Sequence, residues 1–565
     1  MRSKPSVSID KEGKARQIHT TSSFVSGLKF SKIIFIATIL FFFSCKEHVD
    51  FENFSEYEEL YLSNRPTLGK VIYVIDMAEE SFENSILASS LQGIINKKEA
   101  RIYIIGGDAG LSRPWEKLNS MESENFWLSH YKEFYGVDNL KEVNLRDAIA
   151  EFRKEIKGYL LVSRGEPWTI NAATTLAGLD NLVIAFDENK DLLESNGIGL
   201  KESLIGRWRN SSECYLYLFN KYYTKMKSKG LGILSPDEYR LRDFLIQQGI
   251  LTVYGRPTTE EWDTIEYILR ETPWNIPVFG YIAVNGVEEL LGVITLSKNG
   301  KFLIPSDSTS NLSFHVSVLP SSTENFPYNP KSSTGSCKKD SLNVTVAITD
   351  GDNLVIPANW YVWQNFWRSP VRGRLPIGWS FSLALNSIVP AIANYYLSTR
   401  TENDELVGML GIGYVHPSFY PDRDFFFSNS FLIMGDLKLG TFWTLDPLLL
   451  NPEAPTWESL SKNTMYGFPS GVLSGYFPLW GPKYFKTTTG IPVLVPISIY
   501  GDTPAVLVNR IRDILNKSKS EWPPVVFLSA SAWDNPIEEL LTSLEPLQKE
   551  GVNFLLPSQA LKCVP

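Results

Sequence analysis

Histidine and cysteine are scarce in this 565-residue chain, which has five His and four Cys. The cysteines show no Cys-x-x-Cys spacing, and His416 is the one histidine that follows residue 340. A structural zinc site and a His-x-x-x-His zinc centre are therefore not expected. A phosphate-binding glycine loop, a dinucleotide fingerprint and the Gly-x-Ser-x-Gly elbow of serine hydrolases are also missing from their required strand-to-helix context.

Clusters of basic residues are absent as well, and the formal net charge is −9. A surface that binds nucleic acid needs grouped Lys and Arg to displace the counterions of the phosphates, so we expect no nucleic-acid partner. With 43% hydrophobic and 21% charged residues, the chain has the composition of a folded protein rather than a disordered one.

Long apolar runs are limited to residues 33–43, a stretch too short to span a bilayer. Lys29 and Lys32 precede this stretch, and Ser44 and Cys45 follow it. The order resembles a bacterial lipoprotein signal, in which the cysteine is lipidated and becomes the mature N-terminus. We expect export and a lipid anchor at Cys45, on the periplasmic or the cell-surface face of the outer membrane. An uncleaved anchor and an ordinary signal peptide are the alternatives.

Three cysteines remain besides the lipidated one, namely Cys214, Cys337 and Cys563. In an oxidising compartment two of them could form a disulfide. Cys337 and Cys563 bracket the last domain and are the favoured pair, although their spacing does not establish the bond.

The N-terminal part of the chain shows a strand–helix–strand pattern. Residues 70–76 and 101–105 are typical of buried strands, and residues 81–96 between them predict a helix capped by Ser81. This pattern predicts a βαβ unit and hence a parallel sheet. Residues 200–247 are predicted to be helical. The expected division is a signal peptide and lipidated Cys at 1–45, a tether at 46–69, an α/β domain at 70–190, a helical and α/β region at 191–320, a linker at 321–340 and a C-terminal domain at 341–565.

Short apolar strands alternate with helical segments after residue 340. The strands are predicted at 344–348, 377–381, 406–410, 440–443, 471–474, 493–497, 525–528 and 553–556. Seven or eight such strands with helices between them are typical of a (β/α) barrel, and an open doubly wound sheet is the alternative. In either fold the reactive groups follow the carboxyl ends of the strands.

Acidic residues stand at several of these strand ends. Asp350 and Asp352 flank a glycine after the first strand, and Asn353 comes next. A buried strand that opens into two acids is costly unless the acids are solvated, paired or used. Further candidates at strand ends are Trp379 near the second strand, Asp446 after the fourth, Asp502 after the sixth, and Trp533 and Asp534 after the seventh. Turn formation is the alternative role for each Asp, and core packing for each Trp.

Oxygen ligands for Ca²⁺ or Mg²⁺ are present in Asp350, Asp352 and Asn353, but the run lacks the further spaced acids of a calcium loop. We therefore expect neither a metal nor another cofactor. The glutamates of the last domain fall in predicted helices or loops away from the strand ends. An acid/base pair in this domain is thus expected to consist of aspartates.

The heptapeptide Gly411-Ile-Gly-Tyr-Val-His-Pro417 follows the third strand and resembles the signature of the GxGYxYP family of putative glycoside hydrolases. Other stretches are also similar to that family, namely residues 171–178, 349–353, 375–381 and 390–394. The resemblance covers most of the chain and implies an N-terminal α/β region before a barrel-like domain, in an exported carbohydrate-utilisation protein. His416 stands where the signature has its second Tyr, so an imidazole that titrates near neutrality replaces a phenol.

We therefore expect a glycoside hydrolase that acts on an oligosaccharide or polysaccharide outside the cytoplasm. Glycosidic cleavage needs one protonated carboxyl and one carboxylate. The expected catalytic residues are Asp350, Asp352 and Asp502. The residues expected to bind or orient the sugar are Asn353, Trp379, Tyr414, His416, Asp446, Trp533 and Asp534. A non-catalytic glycan-binding lipoprotein and a metal-dependent polysaccharide deacetylase are the alternatives.

Overall fold

The computed structural model describes residues 57–106, 114–228, 230–282, 285–320, 335–363, 365–467, 469–476 and 483–565, with the backbone alone for 114–120. The predicted signal, Cys45 and parts of the predicted tether and linker lie outside these ranges. Within them, every helix is too short or too polar to cross a bilayer.

Ten strands of the N-terminal part form three separate parallel sheets, with helices connecting the strands. The strands are β1 (Thr67–Asp76), β2 (Glu99–Ile105), β3 (Leu140–Val143), β4 (Tyr159–Leu161), β5 (Val183–Ala185), β6 (Leu200–Ser203), β7 (Leu231–Ile233), β8 (Leu251–Val253), β9 (Ile276–Gly280) and β10 (Lys301–Pro305). The helices are α1 (Phe82–Ile95), α2 (Pro114–Phe134), α3 (Leu145–Phe152), α4 (Trp168–Asp180), α5 (Lys190–Ser195), α6 (Ser211–Tyr222), α7 (Arg242–Gln248), α8 (Glu261–Glu271), α9 (Gly286–Lys298) and α10 (Leu312–His315). In space the sheets run β2–β1–β3, β5–β4–β6 and β10–β9–β7–β8.

The first βαβ unit follows from local sequence signals. Ser81 has an extended backbone, and its side chain accepts a hydrogen bond from the backbone N of Asn84 at 3.1 Å, which caps α1. The apolar strands β1 and β2 on either side pair in parallel, as the spacing predicts. This part of the fold is thus local in origin.

The prediction that residues 200–247 are helical is confirmed only in part. This segment contains β6 and β7 as well as α6 and α7. All four residues of β6 are exposed, and β7 is three residues long, so neither strand shows the apolar alternation that identifies a strand in sequence. The apolar stripe of α6 is real, with Tyr215 and Leu218 buried.

In the described residues after 340, nine strands form a single sheet. They are β11 (Leu342–Ile348), β12 (Ile377–Ser382), β13 (Asp404–Met409), β14 (Phe442–Thr444), β15 (Val472–Ser474), β16 (Tyr484–Lys486), β17 (Pro492–Leu494), β18 (Val526–Ala530) and β19 (Val552–Phe554). The helices are α11 (Ala384–Ile388), α12 (Pro390–Ser398), α13 (Arg423–Asp436), α14 (Thr456–Lys462), α15 (Pro504–Leu515), α16 (Ile537–Leu544) and α17 (Pro557–Ala560). The order is β16–β17–β15–β14–β13–β12–β11–β18, with β19 beside β11, and β16 with β17 is the antiparallel pair.

This sheet curls so that distant strands approach one another across its inner face. Trp443 on β14 and Phe527 on β18 have ring centroids 5.4 Å apart, although three strands lie between them along the sheet. The backbone N of Ile497, just after β17, donates to the carbonyl O of Phe527 at 3.0 Å. The expected α/β class with a parallel sheet is confirmed, and the sheet has the curvature of a half-barrel.

A disulfide joins the two ends of this C-terminal part, since Cys337 before β11 is bonded to Cys563 after α17. Beside it, Ser558 of α17 donates to Oε2 of Glu405 on β13 with its backbone N (2.9 Å) and its hydroxyl (2.8 Å). The favoured cysteine pairing is confirmed, and the chain's last helix is fixed against the sheet.

Backbone hydrogen bonds join β10 to loops at the carboxyl ends of the curled sheet. Leu303 on β10 and Tyr414 in the loop after β13 exchange backbone hydrogen bonds of 2.7 and 3.1 Å. The backbone N of Leu354, in the loop after β11, donates to the carbonyl O of Pro305 at 2.9 Å. Loops at the carboxyl ends of two sheets therefore face each other.

Candidate active site

The loop after β11 brings two predicted residues together. Gly351 lies so close to β12 that a Cβ would stand 2.0 Å from the carbonyl O of Ser380, and its backbone N donates to Ser380 Oγ at 2.7 Å. Asp350 has φ of +69°, which is uncommon for a residue other than glycine. This tight turn places Asp350 and Asp352 in the wall of one cavity.

The two carboxyl oxygens of Asp350 differ in their hydrogen bonding. Oδ1 accepts a hydrogen bond from the hydroxyl of Tyr500 at 3.1 Å, whereas Oδ2 is buried and has no partner within the described structure. Burial, with a further contribution from neighbouring Asp352, raises the pKa of Asp350 well above its usual range. A raised pKa favours the protonated form, and a protonated carboxyl in a cavity wall is suited to donate a proton.

Asp352 is 9% exposed and lies on the other side of the glycine. Burial raises the pKa of Asp352 to about 7, and the negative charge of Glu289 adds to the effect. Both aspartates therefore have a raised pKa, and the charge of Asp352 contributes to the shift of Asp350. Two neighbouring carboxyls whose environments move their pKa values apart can supply an acid and a base to one site.

The raised pKa of Asp352 predicts a pH-dependent stability. The folded state holds this proton up to about pH 7 and the unfolded state only to about pH 4, so the free energy of unfolding falls as pH rises between these values. The free energy of unfolding of Asp352→Asn, relative to that of the wild type, should therefore rise by up to about 1.4 kcal/mol per pH unit across this window. Urea unfolding at pH 4 to 8 would measure this difference. The exposed Asp513→Asn serves as the control and should give a flat difference. A flat difference for Asp352→Asn as well would contradict the prediction.

The glycines of the signature loop have a structural purpose. Gly411 has φ of +62°, and a Cβ at Gly413 would lie 2.9 Å from the carbonyl O of Leu303. Gly413 lets the loop run against β10, and Gly411 lets it pass close to Ser430 and Phe426 of α13. The next residue, Tyr414, is 6% exposed and points its hydroxyl at Glu289.

Glu289 on α9 is an acidic residue of the cavity that the sequence did not predict. Its Oε1 accepts from the hydroxyl of Tyr414 at 2.9 Å, and its Oε2 accepts from the hydroxyl of Tyr281 at 2.8 Å. It lines the same cavity as the two aspartates and raises the pKa of both. The prediction concerned acidic residues at the strand ends of the C-terminal domain, whereas Glu289 lies on a helix of the preceding region.

Aromatic side chains form much of the remaining wall. Trp533 packs on Trp360, with ring centroids 4.6 Å apart, and Trp360 packs on Trp363 at 4.0 Å. Tyr476 and Tyr500 lie beside the aspartates, with centroids 5.3 Å apart. Trp533 was expected here from the sequence. Trp360 and Trp363 were not predicted to line the site, although their close spacing in the loop after the first strand could have indicated it.

His416 and Asp446 line the cavity as a neighbouring pair. His416 is 1% exposed, and neither ring nitrogen has a hydrogen-bond partner in the described part of the chain. Burial lowers the pKa of His416 to about 4, with Asp446 acting in the opposite direction, so the imidazole is neutral at pH 7. The carboxylate of Asp446 accepts from the backbone N of Ser418 (2.6 Å) and of Leu448 (2.9 Å), which orders the two loops.

Two predicted residues lie away from the cavity. The carboxylate of Asp502 binds Arg510 (Nε to Oδ2, 2.5 Å) and caps the backbone N of Ile499 at 2.8 Å. Trp379 is fully buried and donates its indole N–H to Asp404 at 2.9 Å. Their contacts fix loop and core structure, so neither the catalytic expectation for Asp502 nor the sugar-binding expectation for Trp379 is carried forward.

The cavity has a volume of about 1010 Å³ and is open to solvent. Asn353 lines it and uses Oδ1 to accept from the backbone N of Val355 at 3.2 Å, while the exposed Asp534 stands at its edge. Within the described residues, no group of three or more His, Cys, Asp or Glu side chains is arranged to hold a metal ion. The chamber is large enough for several sugar units and has both acidic and aromatic walls.

Four models of one protein family match successive parts of the chain. Residues 340–477 match "GxGYxYP putative glycoside hydrolase C-terminal domain". The other three matches are the third domain at 222–317, the second domain at 156–226 and the first domain at 71–154. Together these ranges span well over half of the chain.

A solved structure described as a putative hydrolase from Bacteroides thetaiotaomicron is similar in fold, with a TM-score of 0.73. The two sequences are 19% identical, and the match covers 89% of this chain and 95% of that one. A comparison with curated proteins gives no match.

Proposed function

The chain belongs to the GxGYxYP family, and from this premise we propose that it is a glycoside hydrolase with Asp350 and Asp352 as its carboxyl pair. The observation that carries the proposal is a sugar-sized cavity whose wall contains two adjacent carboxyls, both with raised pKa values. Hydrolysis of a glycosidic bond requires both protonation states at once.

In the proposed reaction, Asp350 donates its proton to the oxygen of the leaving sugar. Asp352, as the carboxylate, attacks the anomeric carbon or takes a proton from the attacking water. Positive charge develops on the sugar ring in the transition state, and Glu289 adds a negative charge to the cavity that receives it. The hydroxyl of Tyr500 holds Asp350 in place through its 3.1 Å hydrogen bond.

The first test is mass spectrometry of products after incubation of the purified protein with a broad glycan panel in H₂¹⁸O. Fragments that gain one labelled water would support a hydrolase. Binding of a glycan without any product would favour the alternative of a glycan-binding lipoprotein. Loss of acetyl groups with intact chains, abolished by chelation, would favour a deacetylase instead.

Glu289→Gln is expected to move the pH dependence of kcat/KM. Asp352 must be ionised to react, so the rate of the wild type should rise with pH to a plateau above about pH 7. Removing the charge of Glu289 lowers the pKa of Asp352, and we expect this acidic limb to move down by about one pH unit.

Tyr414→Phe is the matched control for this change. It removes one hydrogen bond to Glu289 but leaves the carboxylate in place, so its acidic limb should move much less than that of Glu289→Gln. Equal shifts in the two variants, or no shift in either, would show that the charge of Glu289 does not act on Asp352.

A further inference from the structure

Acidic side chains greatly outnumber basic ones in the cavity. Its described lining contains seven carboxyl groups and one guanidinium, that of Arg240. The carboxyl groups belong to Glu238, Glu289, Asp307, Asp350, Asp352, Asp446 and Asp534.

The guanidinium of Arg240 is already engaged within the protein. Its Nε donates to Oε1 of Glu238 at 3.0 Å and its Nη2 to Oε2 at 2.8 Å, and the side chain of Arg240 is 4% exposed. This two-point pairing already satisfies both groups, so Arg240 would have to release Glu238 before it could bind a ligand. An acidic group on a ligand would therefore meet no available cation in the described lining.

Asp307 lies in the loop after β10 and contributes a carboxyl group to the cavity wall. It is half-buried, and burial together with the nearby charge of Glu238 raises the pKa of Asp307 to about 6. Arg240 acts in the opposite direction. A positive group on a ligand would stabilise the ionised form of Asp307, whereas a negative group would disfavour it.

Unpartnered polar atoms in the cavity wall are a separate observation that points to a polar ligand. His416, almost fully buried in the wall, has two ring nitrogens without a partner, and Oδ2 of Asp350 is unpartnered as well. Buried polar atoms of this kind normally have partners, so a ligand with hydroxyl or amine groups accounts for them.

We infer that this cavity selects glycans by charge, binding sugars with a protonated amine most tightly, neutral sugars less tightly, and sugars with carboxylate or sulfate groups least. The inference rests on the proposed function, because that function supplies the kind of ligand, a glycan. It follows from the excess of carboxyl groups over cations in the described lining, the occupied Arg240 and the position of Asp307. Because the cavity is partly enclosed, these charges are screened less than they would be on an open surface.

Matched methyl glycosides test the inference without requiring turnover. Glucosamine, glucose and glucuronate share one ring configuration and differ in charge, and galactosamine, galactose and galacturonate repeat the series for a second configuration. Dissociation constants would be measured by ligand-observed NMR at pH 7 with low and high NaCl. We expect the amine to bind about tenfold more tightly than the neutral sugar and the carboxylate about tenfold more weakly, with both ratios smaller at high salt.

Asp307→Asn should reduce the advantage of the amine over the neutral sugar to about threefold. Asp513→Asn, an exposed change on α15 outside the cavity lining, should leave this advantage unchanged. A uronate that binds as tightly as its neutral counterpart would overturn the inference. If hydrolysis is detected on the glycan panel but the charge order is absent, the inference alone fails; if no glycan is bound or cleaved, the proposed function fails with it.

Discussion

Asp350→Asn is expected to lower kcat by about 10²- to 10⁴-fold while the affinity for glycan changes little. An amide cannot supply the proton that the leaving oxygen needs, but it has nearly the same size and can still accept the hydrogen bond from Tyr500. Asp352→Asn should cause a loss of the same order, because an amide neither attacks the anomeric carbon nor activates water. Initial rates on the best substrate of the glycan panel, with binding measured separately, would check both variants.

The nature of the substrate should separate the two variants. A glycoside with an acidic leaving group, such as a nitrophenyl sugar, needs little protonation, so it should restore much of the rate of Asp350→Asn and little of that of Asp352→Asn. Asp502→Asn is the matched control, since it removes another strand-end acid that lies outside the cavity lining and is paired with Arg510. Equal losses in all three variants would indicate a shared structural effect and would contradict the assigned pair.

Removing the disulfide should have the largest effect on stability. Cys337 and Cys563 are 226 residues apart, so their bond restricts a long segment of the unfolded chain. We expect Cys337→Ser together with Cys563→Ser to lower the free energy of unfolding by about 2–5 kcal/mol. Urea unfolding monitored by tryptophan fluorescence would measure the change.

A reducing agent should give the same destabilisation in the wild type and none in the double variant. Cys214→Ala is the control for loss of a buried thiol, because Cys214 is unpaired and lies in the N-terminal part. A double variant that unfolds at the wild-type urea concentration would show that the bond contributes nothing to stability.

The carboxyl pair could be located from sequence because its signal is local. A buried apolar strand that opens directly into Asp350, Gly351 and Asp352 identifies both the end of β11 and its polar loop. The expected parallel sheet arose in the same way, from apolar strands alternating with helices. Such features depend on neighbours within a few residues, and the sequence displays them.

Glu289 and Trp379 show why the rest of the site could not be found. Glu289 reaches the aspartates only because the loop that contains Tyr414 lies on β10, a contact between residues far apart in the chain. Trp379 has the side chain of a sugar-binding residue, but its inward position on β12 directs it to Asp404 in the core. Inward and outward positions of a curled sheet depend on packing that no short motif encodes.

The exchange of main-chain hydrogen bonds between Leu303 and Tyr414 joins two parts of the cavity that are synthesised at different times. Synthesis proceeds from the N-terminus, so β10 and Glu289 emerge before the two aspartates and the loop with Tyr414 do. Trp533 and Asp534 are the last residues of the described lining to emerge. A chain that stops short of them therefore lacks part of the cavity wall.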